Sequence, residues 1–139
     1  MRSLKLNAMV FVIILITNTM HCQEKNDVEV LKNIYKVLQI PSTSSKDIVS
    51  LTPEINWNEK FSSEKEIDRY VIGFGGIMKN KWHSLEFTDL LFHRDGNNKV
   101  MVSGTVSGKQ PTECEFRSNR FKHSWTIQNG KLIDFSEHQ

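Results

Sequence analysis

Apolar positions recur every three or four residues through the first half of the chain and every second residue from Trp82 onward. That change of period divides the sequence into a helical part and a strand part. Leu31, Ile34, Tyr35 and Leu38 fall at i, i+3, i+4 and i+7, one face of an amphipathic helix, and Asn26 with Glu29 three residues on reads as its capping box. Ile40-Pro41 ends it, because a residue before proline avoids helical backbone angles. Ser45 is placed to cap a short second helix carrying Ile48 and Leu51, stopped at Thr52-Pro53. A third helix is expected from Ser63, with Glu66 three residues on and a stripe of Ile67, Tyr70, Val71, Phe74, Ile77 and Met78. Gly73, Gly75 and Gly76 interrupt that stripe, and each costs about 1 kcal/mol against alanine inside a helix. A phosphate-cradling loop would follow a strand and open a helix, which this context does not offer. Close approach of the helix to a sheet, or a local kink, accounts for them better.

Past Trp82 the alternation predicts four strands. His83, Leu85, Phe87, Asp89, Leu91 and His93 share one parity, and Asp95-Gly96-Asn97-Asn98 makes a turn. Val100, Val102, Gly104 and Val106 alternate with polar residues, and Gly108-Lys109-Gln110-Pro111 is expected to reverse the chain. A long third strand runs from about Glu113 to Gln128; its apolar parity changes between Phe116 and Phe121, which predicts a bulge near Ser118-Asn119. Beyond it Phe121, His123, Trp125 and Ile127 share a face. Asn129-Gly130 is a strong hairpin signal, and Leu132 to His138 returns as the last strand. Helices followed by a strand meander predict an α+β domain.

The first 22 residues read differently. Arg2 and Lys5 precede an unbroken apolar run from Ala8 to Ile16, too short to span a bilayer and suited to the core of an export signal. Residues 1–22 are therefore expected to be a signal peptide and 23–139 one exported domain, with cleavage at or near Cys22 or Gln23. A lipid anchor on Cys22 stays open, against the bulky His21 before it. Setting aside Arg2 and Lys5, the 18 basic residues fall to the same number as the 16 acidic ones. A balanced domain lacks the basic footprint of a nucleic-acid binder. Cys114, between Glu113 and Glu115, has an acidic setting that disfavours a thiolate and points to a structural cysteine. The histidines show no paired metal spacing, and no motif calls for a cofactor.

The stretch His123-Ser124-Trp125-Thr126-Ile127-Gln128-Asn129-Gly130-Lys131-Leu132-Ile133 resembles the closing hairpin of the nuclear transport factor two-like superfamily, in its SnoaL-like and ketosteroid-isomerase-like branch. Val100 to Gly108 is similar to the strand before it, and Leu51-Thr52-Pro53-Glu54-Ile55-Asn56-Trp57 resembles the exit from that family's second helix. The resemblance covers residues 26–138 and implies three N-terminal helices packed in a curved antiparallel sheet, a cystatin-like α+β roll forming a cone with a cavity open at one end. No stretch matches the family's catalytic motifs, so it carries no catalytic residue across, and fold alone does not fix function.

Within such a cone, large rings and a few polar groups are the expected wall of a binding pocket. The candidates are Trp57, Tyr70, Phe74, Met78, Trp82, His123 and Trp125, and the ligand they favour is a small apolar molecule. For any one ring, filling the core is the commoner role. A lone histidine on an apolar face is likewise more often a hydrogen-bonded core residue, although it is the usual acid or base where a site exists. Asp134 and His138 share a parity on the last strand, where a solvated pair is the commoner arrangement. Two alternatives stay open: a small isomerase, cyclase or hydrolase using His123 or Asp134, and a homodimerising module with Leu90, Phe92 and Met101 on the outer face of the sheet.

Overall fold

The computed structural model describes residues 26–62, 71–79 and 82–138. The expected export signal, Cys22 and the Ser63–Tyr70 start of the expected third helix lie outside these residues. The domain is α+β: helical segments precede four strands, β1 (Ser84–Arg94), β2 (Lys99–Lys109), β3 (Arg117–Gln128) and β4 (Lys131–His138), in one open antiparallel sheet of order β1-β2-β3-β4.

Helix α1 covers 26–38, so Asn26 already lies inside it. Its expected stripe is the buried one, with Leu31 and Tyr35 fully enclosed. At its end Thr43 Oγ1 and the Ile40 amide both donate to the Val37 carbonyl, which closes the last turn before Pro41. Helix α2 (Ser45–Leu51) is capped one residue earlier than expected: the Ser44 amide and hydroxyl both donate to Asp47 Oδ2, at 2.7 and 2.9 Å. A further helix, α3 (Trp57–Ser62), follows. Its signal stands in the sequence as Asn56-Trp57-Asn58-Glu59, where Asn56 Oδ1 accepts the Glu59 amide. Thr52, fully buried, joins α2 to α3: its hydroxyl donates to the Ile48 carbonyl and accepts the Trp57 indole N–H at 2.9 Å.

The stripe expected to run on to Met78 is broken. Val71–Gly73 are not helical, and α4 comprises only Phe74–Lys79. Backbone groups released by the break are taken up by the sheet: the Ile72 amide donates to Asn119 Oδ1 of β3, and the Phe74 amide to both carboxylate oxygens of Glu137 of β4. Gly73 and Gly75, without side chains, lie buried where this segment meets the sheet.

Three strand expectations are corrected. Strand β1 carries a bulge between Thr88 and Leu91, with Asp89 at φ 53°. The extra residue reverses the faces: Leu90 and Phe92 turn inward against the core, while Leu91 is 67% exposed. Second, β2 continues to Lys109 instead of turning at Gly108. A Cβ on Gly108 would come within 2.9 Å of the Trp82 ring and of the Ser84 carbonyl; this glycine serves close approach within the strand. Third, β2 and β3 pair without a break from Gly108↔Arg117 to Lys99↔Thr126, so no bulge interrupts Ser118-Asn119 there. The parity change arises because Phe116 lies outside the strand, 67% exposed. The irregularity falls instead between Thr126 and Ile127, where β3 pairs with β4. The Asn129-Gly130 hairpin has positive φ at both residues, 51° and 73°, as a type I′ turn requires.

Candidate functional site

The inner face of β3 presents Phe121, His123, Trp125 and Ile127, all buried. Tyr35 of α1 lies against it, its ring 6.0 Å from both Phe121 and His123. Trp57 and Phe74 close the far side: Phe74 stands 5.2 Å from Trp57 and 5.8 Å from Trp125, while Phe135 of β4 fills between them at 4.5 Å from Phe74. Trp125 is 0% exposed. Four of the expected pocket residues, Trp57, Phe74, His123 and Trp125, are therefore brought together, but as a filled aromatic core.

A chain of polar contacts threads that core. The Trp125 indole N–H donates to the Tyr35 hydroxyl at 3.1 Å, and that hydroxyl lies 2.7 Å from His123 Nδ1. His123 Nε2 is 3.2 Å from Glu137 Oε1, and the same carboxylate receives the Phe74 amide. These contacts fix the imidazole's proton. The Glu137 carboxylate can only accept, so in a neutral ring Nε2 carries the hydrogen that faces it; Nδ1 is then the acceptor, and the Tyr35 hydroxyl donates to it while accepting from Trp125. Burial pushes the His123 pKa below its ordinary 6.5; Glu137 opposes this, and His138 adds to it. The imidazole is thus neutral, and its contact with Glu137 is a hydrogen bond to a carboxylate. Burial likewise pushes the Tyr35 phenol well above its usual range. The Trp125 indole, the Tyr35 hydroxyl, both ring nitrogens of His123 and the Glu137 carboxylate all have partners, which is what a buried network needs to be stable.

Open volume lies elsewhere. A cleft of about 630 Å³ runs between the end of α1, the α1–α2 loop, α4 and the start of β1. Its apolar wall includes Leu38, Ile48, Ile77, Met78, Trp82 and Leu85, and Ser42–Ser45, Lys79 and His83 supply polar groups. Two expected residues, Met78 and Trp82, line it. Trp82 is seated on the backbone at Gly108, and its indole N–H donates to the Gly76 carbonyl at 3.4 Å. Tyr70 lies outside the described residues. Reasoning from aromatics missed the aliphatic wall; its signal was the i, i+3 pair Ser45 and Ile48 beside Ile40-Pro41, at the point where α1 stops.

The remaining candidates scatter. Asp134 pairs with Lys60 of α3 and not with His138, whose Nε2 is 3.4 Å from Ser136 Oγ. Cys114 is exposed on the loop before β3, which corrects the reading of it as structural. Among the described residues, no group of three His, Cys, Asp or Glu side chains could hold a metal, and no helix is long and apolar enough to cross a membrane. No family model, curated protein or solved structure matches the chain.

Proposed function

We propose that this domain binds a small, largely apolar molecule in the cleft between α1, α4 and the start of β1. The observation that carries the reading is the cleft's volume of about 630 Å³ with a wall of Leu38, Ile48, Ile77, Met78, Trp82 and Leu85. Such a size is usual for small-molecule sites, and the polar residues Gln39, Ser42–Ser45, Lys79 and His83 share the lining with this wall. We also read the order of helices followed by a strand meander as that of a nuclear transport factor two-like roll, its sheet curving as a cone around α1. The packing of Tyr35 on the inner face of β3 supports that reading. Export rests on Arg2, Lys5 and the apolar run to Ile16.

A second reading, a small enzyme, draws on the Tyr35–His123–Glu137 chain. A reacting group must touch its substrate, and His123 is 1% exposed and away from the cleft wall; binding is therefore put first. The test is displacement of a fluorescent hydrophobic dye together with native mass spectrometry of the purified protein. Ser42→Trp, at an exposed lining residue, is expected to abolish dye binding, and Leu91→Trp on the outer face is expected to leave it intact. The reverse pattern would move the site away from the cleft. Sequencing of the mature N-terminus tests export: a retained Met1 in native cytoplasmic material would refute it.

A further inference from the structure

Resting on that reading of the cleft, we infer that its ligand is an amphipathic anion of the fatty-carboxylate class, with an apolar tail along the wall and a negatively charged head at the rim beside Lys79 and His83. The charge of the lining is one-sided. Lys79 and His83 are its ionisable side chains, and no aspartate or glutamate lines the cleft among the described residues. That asymmetry is local, since basic and acidic residues balance over the chain beyond Arg2 and Lys5. Lys79 ends α4, and its ammonium lies 5.4 Å over the ring of Phe61. Phe61 is not part of the cleft lining, so the ammonium would exchange this ring contact for the anion, a swap that keeps the expected gain to that of a single exposed charge contact. The hydroxyls of Ser42 and Ser45 stand on the same lining and are able to donate to carboxylate oxygens. Behind them Leu38, Ile48, Ile77 and Leu85 border the cleft, an apolar side that favours methylene groups over a second polar end. A neutral hydrocarbon would leave Lys79 and His83 without a role, and a cationic amphiphile would meet like charge.

The experiment compares decanoate, decanol and decyltrimethylammonium as displacers of the dye from the purified full chain at low ionic strength and pH 7. Decanoate is expected to bind about fivefold more tightly than decanol, the scale of one solvent-exposed charge contact, with the cationic amphiphile weakest. The advantage should shrink toward unity in 1 M salt, where screening acts within about 3 Å. Lys79→Met should remove most of it, read as a decanoate-to-decanol affinity ratio near unity within the variant, and affinity along a carboxylate series should rise about fourfold per methylene. Equal binding of decanol and decanoate, or an advantage that survives Lys79→Met combined with His83→Gln, overturns the anionic head and leaves the cleft reading in place. If no displacer competes and Ser42→Trp leaves dye binding unchanged, the cleft reading falls and the inference with it.

Discussion

Replacing Tyr35 by phenylalanine removes one oxygen and leaves the ring. The ring's edge contact with Phe87 at 5.1 Å and its stacking on Phe121 at 6.0 Å remain, so almost no apolar burial is lost. Two hydrogen bonds go: the one accepted from Trp125 at 3.1 Å and the one given to His123 Nδ1 at 2.7 Å. Neither partner has water to turn to, since Trp125 is 0% and His123 1% exposed. A buried group left without its partner costs about 1–3 kcal/mol, and the imidazole recovers part of that cost by keeping its bond to Glu137. The expected loss is about 2–4 kcal/mol, large against a typical domain stability of about 5–15 kcal/mol. Urea denaturation followed by tryptophan fluorescence would report it as a lower midpoint at constant m. Combining the change with Trp125→Phe should cost less than the sum of the two single changes, because both remove the same hydrogen bond. A loss below about 0.5 kcal/mol, the range of an ordinary surface substitution, would refute the reasoning and mean that the hydroxyl is not enclosed.

Other expectations follow from the same geometry. His123 is held neutral with its pKa below 6.5, so the unfolded chain takes up the proton first. Stability should be fullest above pH 6.5 and decline as pH falls from there toward the folded-state pKa, by at most about 1.4 kcal/mol per unit; His123→Gln should flatten that part of the profile, and identical slopes in both proteins would refute the assignment. Gly130→Ala puts a side chain at φ 73° with nothing within 4 Å, so strain alone should cost about 1 kcal/mol, read as a lowered denaturation midpoint. Gly108→Ala should displace Trp82 and weaken dye binding in the cleft, and unchanged binding would show that the ring's seat there is unimportant. Leu90→Ala should cost about 2 kcal/mol and Leu91→Ala less than about 0.5 kcal/mol; the opposite order would restore an unbulged β1.

The elements that were legible in the sequence are those whose signals are local. The α1 stripe, the Asn129-Gly130 turn and the alternation along β2 each follow from residues a few positions apart. What misled is equally physical. The change of face in β1 comes from one residue, Asp89, taking a positive φ that side-chain alternation does not encode. Phe116 suggested a bulge because parity counting assumes that the strand has already begun there, when it begins at Arg117. The short α3 carries its cap at Asn56 and Glu59, but a single turn or two of helix leaves too little periodicity to be seen against Pro53. In α4 the break before Phe74 depends on Asn119 and Glu137, more than forty residues away.

The same division between local and distant information explains the site. Periodicity put Phe121, His123 and Trp125 on one face correctly, but whether a face meets solvent or another layer depends on what packs on it. Here Tyr35, Trp57, Phe74 and Phe135 fill that space, and the polar chain from Trp125 to Glu137 closes it against water. A filled centre sends any binding volume to the margin, where a helix ends before the sheet beneath it does. That place is the end of α1, where Pro41 halts the helix and Leu38, the loop to Ser44, Ile48 and Leu85 border the cleft. In the sequence the gap shows as a helix terminator followed by small hydroxyl residues, Pro41-Ser42-Thr43-Ser44-Ser45. Small side chains cannot fill the space they border, so the size of those residues, more than the identity of any aromatic, keeps the cleft open.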